Sequence, residues 1–300
     1  MAKRQNKHSQ VKSILFAVLG LTGLGLVITM LLTGTDVALF NPKGLIAQGE
    51  LNLIILSVIM LLMIGVPTLI ILYGFAWHYR ESNAKSKYEP HTKNGKMFVF
   101  GLWAVPSIFM IVLASVMWPA AHRLDPKKAI ASNAKPLTIQ VVALRWKWLF
   151  IYPEQHIATV NFVEVPVGTP VQFILTADET PMSSFWIPKL GGQLYAMTGH
   201  ANQLNLMAEK SGDYPGRSAE INGAGFAGMT FTARASSQVG FDQWVNEVHN
   251  SSGNLDAGEY ANLLKPSQNN SVVNYGHVDD SLYVNILNKY MGSHNHMEHE

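Results

Sequence analysis

Residues 51–77 read LNLIILSVIMLLMIGVPTLIILYGFAW, 27 positions without one charged side chain. A helix needs about 20 apolar residues to cross a hydrocarbon core. The stretch predicts a membrane-spanning helix. A second such stretch, Met97–Ala121, follows with 25 uncharged positions. Pro67 and Pro106 lie inside the two spans. Proline is tolerated there when neighbouring helices or side chains satisfy the freed carbonyls, so both spans are expected to pack on other helices. A third apolar stretch, Ser13–Leu32, precedes them. Its basic start and the small residues Thr33-Gly34-Thr35 also fit a signal peptide, although 20 residues is long for one. Retained helix and cleaved signal both stay open on these residues.

Basic residues orient the spans. Lys3, Arg4, Lys7 and Lys12 precede the first, and Arg80, Lys85, Lys87, Lys93 and Lys96 lie between the other two. The N-terminus and the 78–96 loop are therefore expected in the cytoplasm. Everything after about residue 122 is expected outside, in the periplasm of a Gram-negative cell. Residues 1–118 carry ten Lys and Arg against four Asp and Glu, and the remainder carries twelve against sixteen. The basic residues border apolar spans and form no separate patch, which argues against a nucleic-acid partner. Charged residues are only 14% of the chain, against about 25% in soluble proteins. Zero cysteines exclude disulfides, iron–sulfur clusters and thiolate metal sites.

The external part reads as β-structure. Residues 138–150 alternate, with Trp146, Trp148 and Phe150 on one face, and predict one long strand. Further strands are expected at Ile157–Val163, Val171–Ala177, Gln203–Ala208 and Met229–Ala233, with turns at Pro166–Pro170 and Lys189–Gly192. Short strands at this spacing suggest a sandwich or Greek-key barrel. After residue 240, Phe241, Trp244, Val245 and Val248 recur at helical spacing, as do Leu282, Val284, Ile286, Leu287 and Tyr290. The expected organisation is an N-terminal span at 1–35, a transmembrane hairpin at 36–122 and an external barrel at 123–238. A helical extension at 239–291 and a disordered, His-rich tail at 292–300 complete it.

Residues 214–229 read YPGRSAEINGAGFAGM. Length and glycine spacing are those of a copper-binding loop. The ligands are not: Ser218 and Asn222 stand where two cysteines belong, and Phe226 where a histidine belongs. Only Met229 is of a ligand type. Soft copper centres need thiolate, imidazole and thioether donors.

The chain resembles subunit II of the haem–copper terminal oxidases, and more closely subunit II of the cytochrome bo-type ubiquinol oxidases. The matching stretches are FNPKG (40–44), YGFAWHYRESNAKSKYEP (73–90), RWKWLFIYPEQHIATVNF (145–162), SSFWIPKLGGQLYAMTG (183–199), FDQWV (241–245) and NYGHVDDSLYVNILNKYM (274–291). The resemblance implies a helical hairpin before a cupredoxin-like Greek-key barrel with a short helical C-terminal extension. In the cytochrome c branch this subunit binds two coppers. Carried over by position, its side-chain ligands fall at Ser183, Ser218, Asn222, Phe226 and Met229, and its carbonyl ligand at Glu220. Four of the five side chains are of the wrong type, the pattern of the quinol branch. The resemblance thus implies a non-redox subunit of a proton-pumping ubiquinol:oxygen oxidoreductase of the aerobic respiratory chain, in a bacterial inner membrane. It implies no catalytic, cofactor-binding or metal residue in this chain, haems and copper in subunit I, and subunit I, other oxidase subunits, lipid and ubiquinol as partners. Trp146 and Trp148 match the family's electron-entry aromatics but are expected here to be core or interface residues. Ser183, Ser218 and Asn222 are expected to satisfy backbone groups.

Two departures bear on mechanism. The family often has a glutamate four residues before the tryptophan of Trp-x-x-Pro, linked to a proton-channel entrance. Here Val99 precedes Trp103, and valine carries no titratable proton. Either His91 or Glu89 serves, or this subunit has no proton role. Close relatives carry a lipidated cysteine where Thr35 stands, which favours retention of the first span. His294, His296 and His299 with Met297 could bind metal weakly or be incidental. His122, His156 and His200 lack ligand spacing. A membrane-tethered binding module outside any oxidase is the rival reading. A mononuclear blue-copper carrier is excluded by the missing thiolate.

Overall fold

The computed structural model describes residues 20, 22, 23, 25–27, 29, 37–83, 95–251 and 253–294. The rest of the first apolar span, Thr35, Glu89, His91 and tail residues 295–300 lie outside them, as does the side chain of His294. The chain divides into two compact units, residues 1–41 and 42–300. The described residues of 20–29 are helical, and a short 3-10 turn spans Ala38–Phe40.

In the second unit, helices α1 (Leu45–His78) and α2 (Gly95–Arg123) are both long and apolar enough to cross a membrane. At 1.5 Å per residue the 34 residues of α1 extend roughly 50 Å, well beyond a hydrocarbon core of about 30 Å. The helix therefore begins six residues before the uncharged stretch, and its first turns serve another purpose. Leu45 N–H donates to Met207 C=O (3.3 Å) and Ala47 N–H to Leu190 C=O (3.1 Å). Just ahead, Lys43 N–H and Gly44 N–H both reach Lys189 C=O. The initial N–H groups of a helix have no partner inside it; the β domain supplies two. A Cβ on Gly44 would stand 2.6 Å from the Leu190 carbonyl oxygen, so only glycine allows this approach. Helix α1 is thus stitched to the β domain, while side chains such as Ile70, Trp103 and Ile111 remain exposed along the apolar helices. Apolar faces of that extent mark a lipid or protein contact.

The β domain is a sandwich. Strands β1 (Leu137–Leu144), β2 (Lys147–Tyr152), β3 (Ile157–Val160), β5 (Val171–Ala177), β8 (Asn202–Leu206) and β12 (Val273–Tyr275) form one sheet, ordered β12-β3-β2-β1-β5-β8. The other is ordered β4-β10-β9-β6-β7, from β4 (Phe162–Pro166), β6 (Ser183–Trp186), β7 (Leu194–Ala196), β9 (Gly212–Ser218) and β10 (Thr230–Ser236). β1 runs parallel to β5, and β4 to β10, so the chain crosses between sheets as a Greek key does.

The single strand expected at 138–150 is instead a hairpin. Leu144 pairs with Lys147 across a two-residue turn at Arg145-Trp146, with Trp146 at φ 63°. Alternation predicted a continuous strand because the register carries the same faces through the turn: Val141 stands opposite Phe150 and Ala143 opposite Trp148. The turn has no Gly, Asn or Asp to announce it. The strand expected at Ile157–Val163 breaks likewise at Asn161 (φ 56°), and its halves enter different sheets. β10 continues to Ser236, beyond the expected Ala233.

Both faces of the first sheet are buried. Inward, Ile139, Val141, Trp148 and Phe150 meet Phe185 and Phe231 of the second sheet. The Phe185 and Phe231 rings stack at 5.0 Å. Outward, Val142, Leu144, Leu149 and Ile151 are covered by the C-terminal extension. Of the helical region expected at 239–291, helix α3 (Gln238–His249), whose N-cap Ser237 accepts from Gly240 N–H, packs Phe241 and Val248 on the inter-sheet core, and the covering extension follows it. The extension comprises α4 (Ala257–Leu264), capped by Asp256, then β12, and α5 (Leu282–His294), with a small parallel pair β11 (Asn254–Leu255) and β13 (His277–Val278). The sequence pattern had pointed to α3 and α5 but not to α4 or the added strands.

Candidate functional site

The loop between β9 and β10 carries the positions of interest. β6 and β9 are hydrogen-bonded neighbours, with Phe185 opposite Ser218. This pairing brings Ser183 next to the loop. Ser218 N–H donates to Met229 C=O (3.1 Å) and Ala219 N–H to Ser184 C=O (2.9 Å), closing the loop at its neck. A 3-10 turn at Phe226–Gly228 folds its far end back.

Three of the five positions meet directly. Asn222 Nδ2 donates to Ser183 Oγ at 2.7 Å and to Met229 Sδ at 3.1 Å. Ser183 Oγ donates to Pro181 C=O (3.2 Å), and Ser218 Oγ to Glu220 C=O (3.0 Å). Thus the carbonyl that would be a ligand is taken by a hydroxyl. Ser183, Ser218, Asn222 and Met229 are buried, and Phe226 is half-buried. Asn222 Oδ1 is buried without a hydrogen-bond partner among the described residues.

Trp146 lies against this loop. A Cβ on Gly225 would collide with its indole ring, and Gly223, at φ 121°, faces the same ring. The two glycines let the loop backbone lie flat on the tryptophan. Trp148, by contrast, is fully buried in the inter-sheet core. The two tryptophans, read from the sequence as one face of one strand, stand on opposite sides of a turn.

The donors present do not fit a dicopper centre: two hydroxyls, an amide and a phenyl ring stand where two thiolates and two imidazoles belong, and only the Met229 thioether is of a ligand type. Among the described residues no three His, Cys, Asp or Glu side chains cluster as metal ligands. Nor do His122, His156 and His200 act together. Their Nδ1 atoms lie near Trp118 C=O, Asp280 Oδ1 and Thr198 C=O respectively. Val99 sits on α2 with its side chain exposed.

A second polar cluster escaped the sequence reading. Asp178, just after β5, is only 1% exposed, and Tyr260, Lys289 and Tyr290 converge on it. Nothing in the local pattern marks it, since its partners lie more than 80 residues away.

The fold and site together define a class: a helical hairpin joined to a cupredoxin-like sandwich whose copper loop is closed by hydrogen bonds. Comparison with known proteins agrees. The family profile described as "Cytochrome C oxidase subunit II, periplasmic domain" matches residues 154–236, and that of the "COX Aromatic Rich Motif" matches 249–294. The "Cytochrome bo(3) ubiquinol oxidase subunit 2" of Pseudomonas aeruginosa is 42% identical over 89% of this chain and 80% of its own length. The "Ubiquinol oxidase subunit 2" of Acetobacter aceti is 42% identical over 89% of this chain and 87% of its own. The chain belongs to the ubiquinol oxidase subunit 2 family.

Proposed function

We propose that this chain is the non-redox subunit II of a cytochrome bo-type, proton-pumping ubiquinol:oxygen oxidoreductase. Ubiquinol is oxidised and oxygen reduced in subunit I, which holds the haems and copper. The hairpin packs beside that subunit and the sandwich caps its outer face in the periplasm, with the membrane being the bacterial inner membrane. One observation carries the non-redox part: the loop that would hold copper is closed on itself by Asn222, Ser183, Ser218 and Met229. A cupredoxin fold without thiolate or imidazole at its loop has no route to a soft metal centre. The basic loop residues between the spans support the orientation. Nothing about the sandwich favours the rival reading of a tethered binding module.

The test is a reduced-minus-oxidised optical spectrum of the complex that co-purifies with the tagged chain from detergent-solubilised membranes. Haem bands reduced by ubiquinol and reoxidised by oxygen are expected. An intact, folded chain that brings down no haem would reject the reading.

A further inference from the structure

Besides its apolar core with the first sheet and the β12–β3 pairing, the C-terminal extension is fastened to the sandwich at one buried carboxylate. Asp178 Oδ2 accepts from Tyr260 of α4 (2.6 Å). Its Oδ1 accepts from Tyr290 (2.6 Å) and Lys289 (2.9 Å) of α5. Both extension helices thus donate to one side chain beside β5 of the sandwich. Ionised carboxylates make the stronger class of hydrogen bond, and three donors satisfy a charge that burial would otherwise make costly. Burial, and then the bond to Asp178, push the Tyr260 phenol up from its ordinary range, so it stays a donor.

The same contacts grip the chain beyond Asp178. Glu179 sits at φ 50°, a left-handed conformation unfavourable for a residue with a side chain. Its N–H donates to Tyr290 Oη (3.0 Å), its carbonyl accepts from Arg145 Nε (2.8 Å), and its carboxylate pairs with Lys289 (2.7 Å). Strained backbone persists only where surroundings over-determine it, and here α5 and the β1–β2 turn do so. Pro181 then accepts from Ser183, which accepts from Asn222 in the closed loop. On the neighbouring turn, a Cβ at Gly199 (φ 72°) would stand 3.1 Å from Tyr290 Cβ, so α5 rests on that turn too.

We propose that Asp178 is a latch: it fastens the C-terminal extension to the sandwich, and the fastened extension holds the 178–183 segment, whose Ser183 bonds to Asn222 of the loop between β9 and β10. In this arrangement the extension rigidifies an end of the sandwich that no metal staples. The latch is built from this chain's own residues and does not depend on an oxidase partner.

Amide hydrogen exchange, read by mass spectrometry on the full chain in its purified membrane complex, tests it. The variants are Asp178→Asn, which removes the charge while keeping the shape, and the milder Tyr290→Phe. In Asp178→Asn, peptides covering 257–264, 282–290 and 178–186 should exchange about tenfold faster or more, as expected for losing charge-assisted bonds. Those covering β9 and β10 should not change. Tyr290→Phe should affect the same peptides by a smaller factor. Unchanged protection of the extension overturns the latch. A loosened extension with unchanged 178–186 overturns its hold on that segment, and equal loosening everywhere overturns both. If Asp178→Asn fails to accumulate, Tyr290→Phe decides by the same peptides.

Discussion

Converting Asn222 to aspartate should make the stability of the sandwich pH-dependent in a calculable way. The swap keeps the outline of the side chain and replaces an amide by a carboxyl group. Asn222 is 7% exposed, and its Nδ2 supplies the bonds to Ser183 and Met229. An ionised aspartate would lose both donors and place a charge beside a thioether. Burial raises the pKa of such a group above its unfolded value of about 3.9. A raised folded pKa means the native state binds the proton more tightly, so the penalty vanishes below the unfolded pKa and grows as pH rises above it. Protonation caps it. Holding the proton at pH 7 costs no more than about 1.36 kcal/mol per pH unit above 3.9, or roughly 4 kcal/mol. A bond from the Ser183 hydroxyl returns about 1 kcal/mol to the ionised form, which sets the expected loss at pH 7 at about 2–4 kcal/mol. At pH 5 the loss should shrink to about 1.5 kcal/mol or less. Thermal unfolding of the full chain in detergent, followed by circular dichroism from pH 5 to 8, measures it. At roughly 2–4 °C per kcal/mol, the midpoint should fall by about 4–16 °C at pH 7 and by much less at pH 5. A pH-independent stability equal to the parent's would refute the reasoning. It would mean that water or a cation reaches the new carboxylate, and hence that the loop is not closed around position 222.

Three further outcomes follow from the same geometry. Gly225→Ala drives a methyl into the Trp146 ring and should destabilise by about 1–3 kcal/mol; combining it with Trp146→Ala should recover part of that loss, and full additivity in a double-mutant cycle would contradict the contact. Met229→Ala empties a fully buried site and should cost about 2–5 kcal/mol, while the haem spectrum of the complex stays unchanged; a spectral change would reopen a metal role. Asp213→Asn breaks a surface pair in which the bond from Arg234 (2.8 Å) depresses the aspartate's pKa. The depressed pKa gives stability above about pH 4, worth about 0.2–1 kcal/mol for an exposed pair. Urea midpoints of parent and variant should therefore converge as pH falls through that range, and a gap that widened would have the wrong sign.

Some of this protein was legible in the residues themselves. Crossing a bilayer is a local requirement: every backbone group must be satisfied within the segment and every side chain must tolerate hydrocarbon. Residues 51–77 and 97–121 therefore declare themselves without reference to anything else in the chain. Ligand chemistry is equally local, since serine, asparagine and phenylalanine cannot do a thiolate's or imidazole's work wherever they are placed. Once the family resemblance marks positions 183 and 218–229, their lack of thiolate and imidazole donors is legible in the sequence alone. The helical spacing at 241–248 and 282–290 was legible for the same reason: each amphipathic face repeats within a few residues.

Tertiary structure decided what depends on partners distant in sequence. Arg145-Trp146 turns the chain without a turn residue, because Trp146 finds its place on Gly223 and Gly225, nearly 80 positions later. Strands β1 and β2 bury side chains on both faces, one under the second sheet and one under an extension beyond residue 249. Asp178 is an unremarked acidic residue until Tyr260, Lys289 and Tyr290 arrive from that extension. A side chain's burial and bonds are set by what folds against it, and no periodicity within its own segment records that.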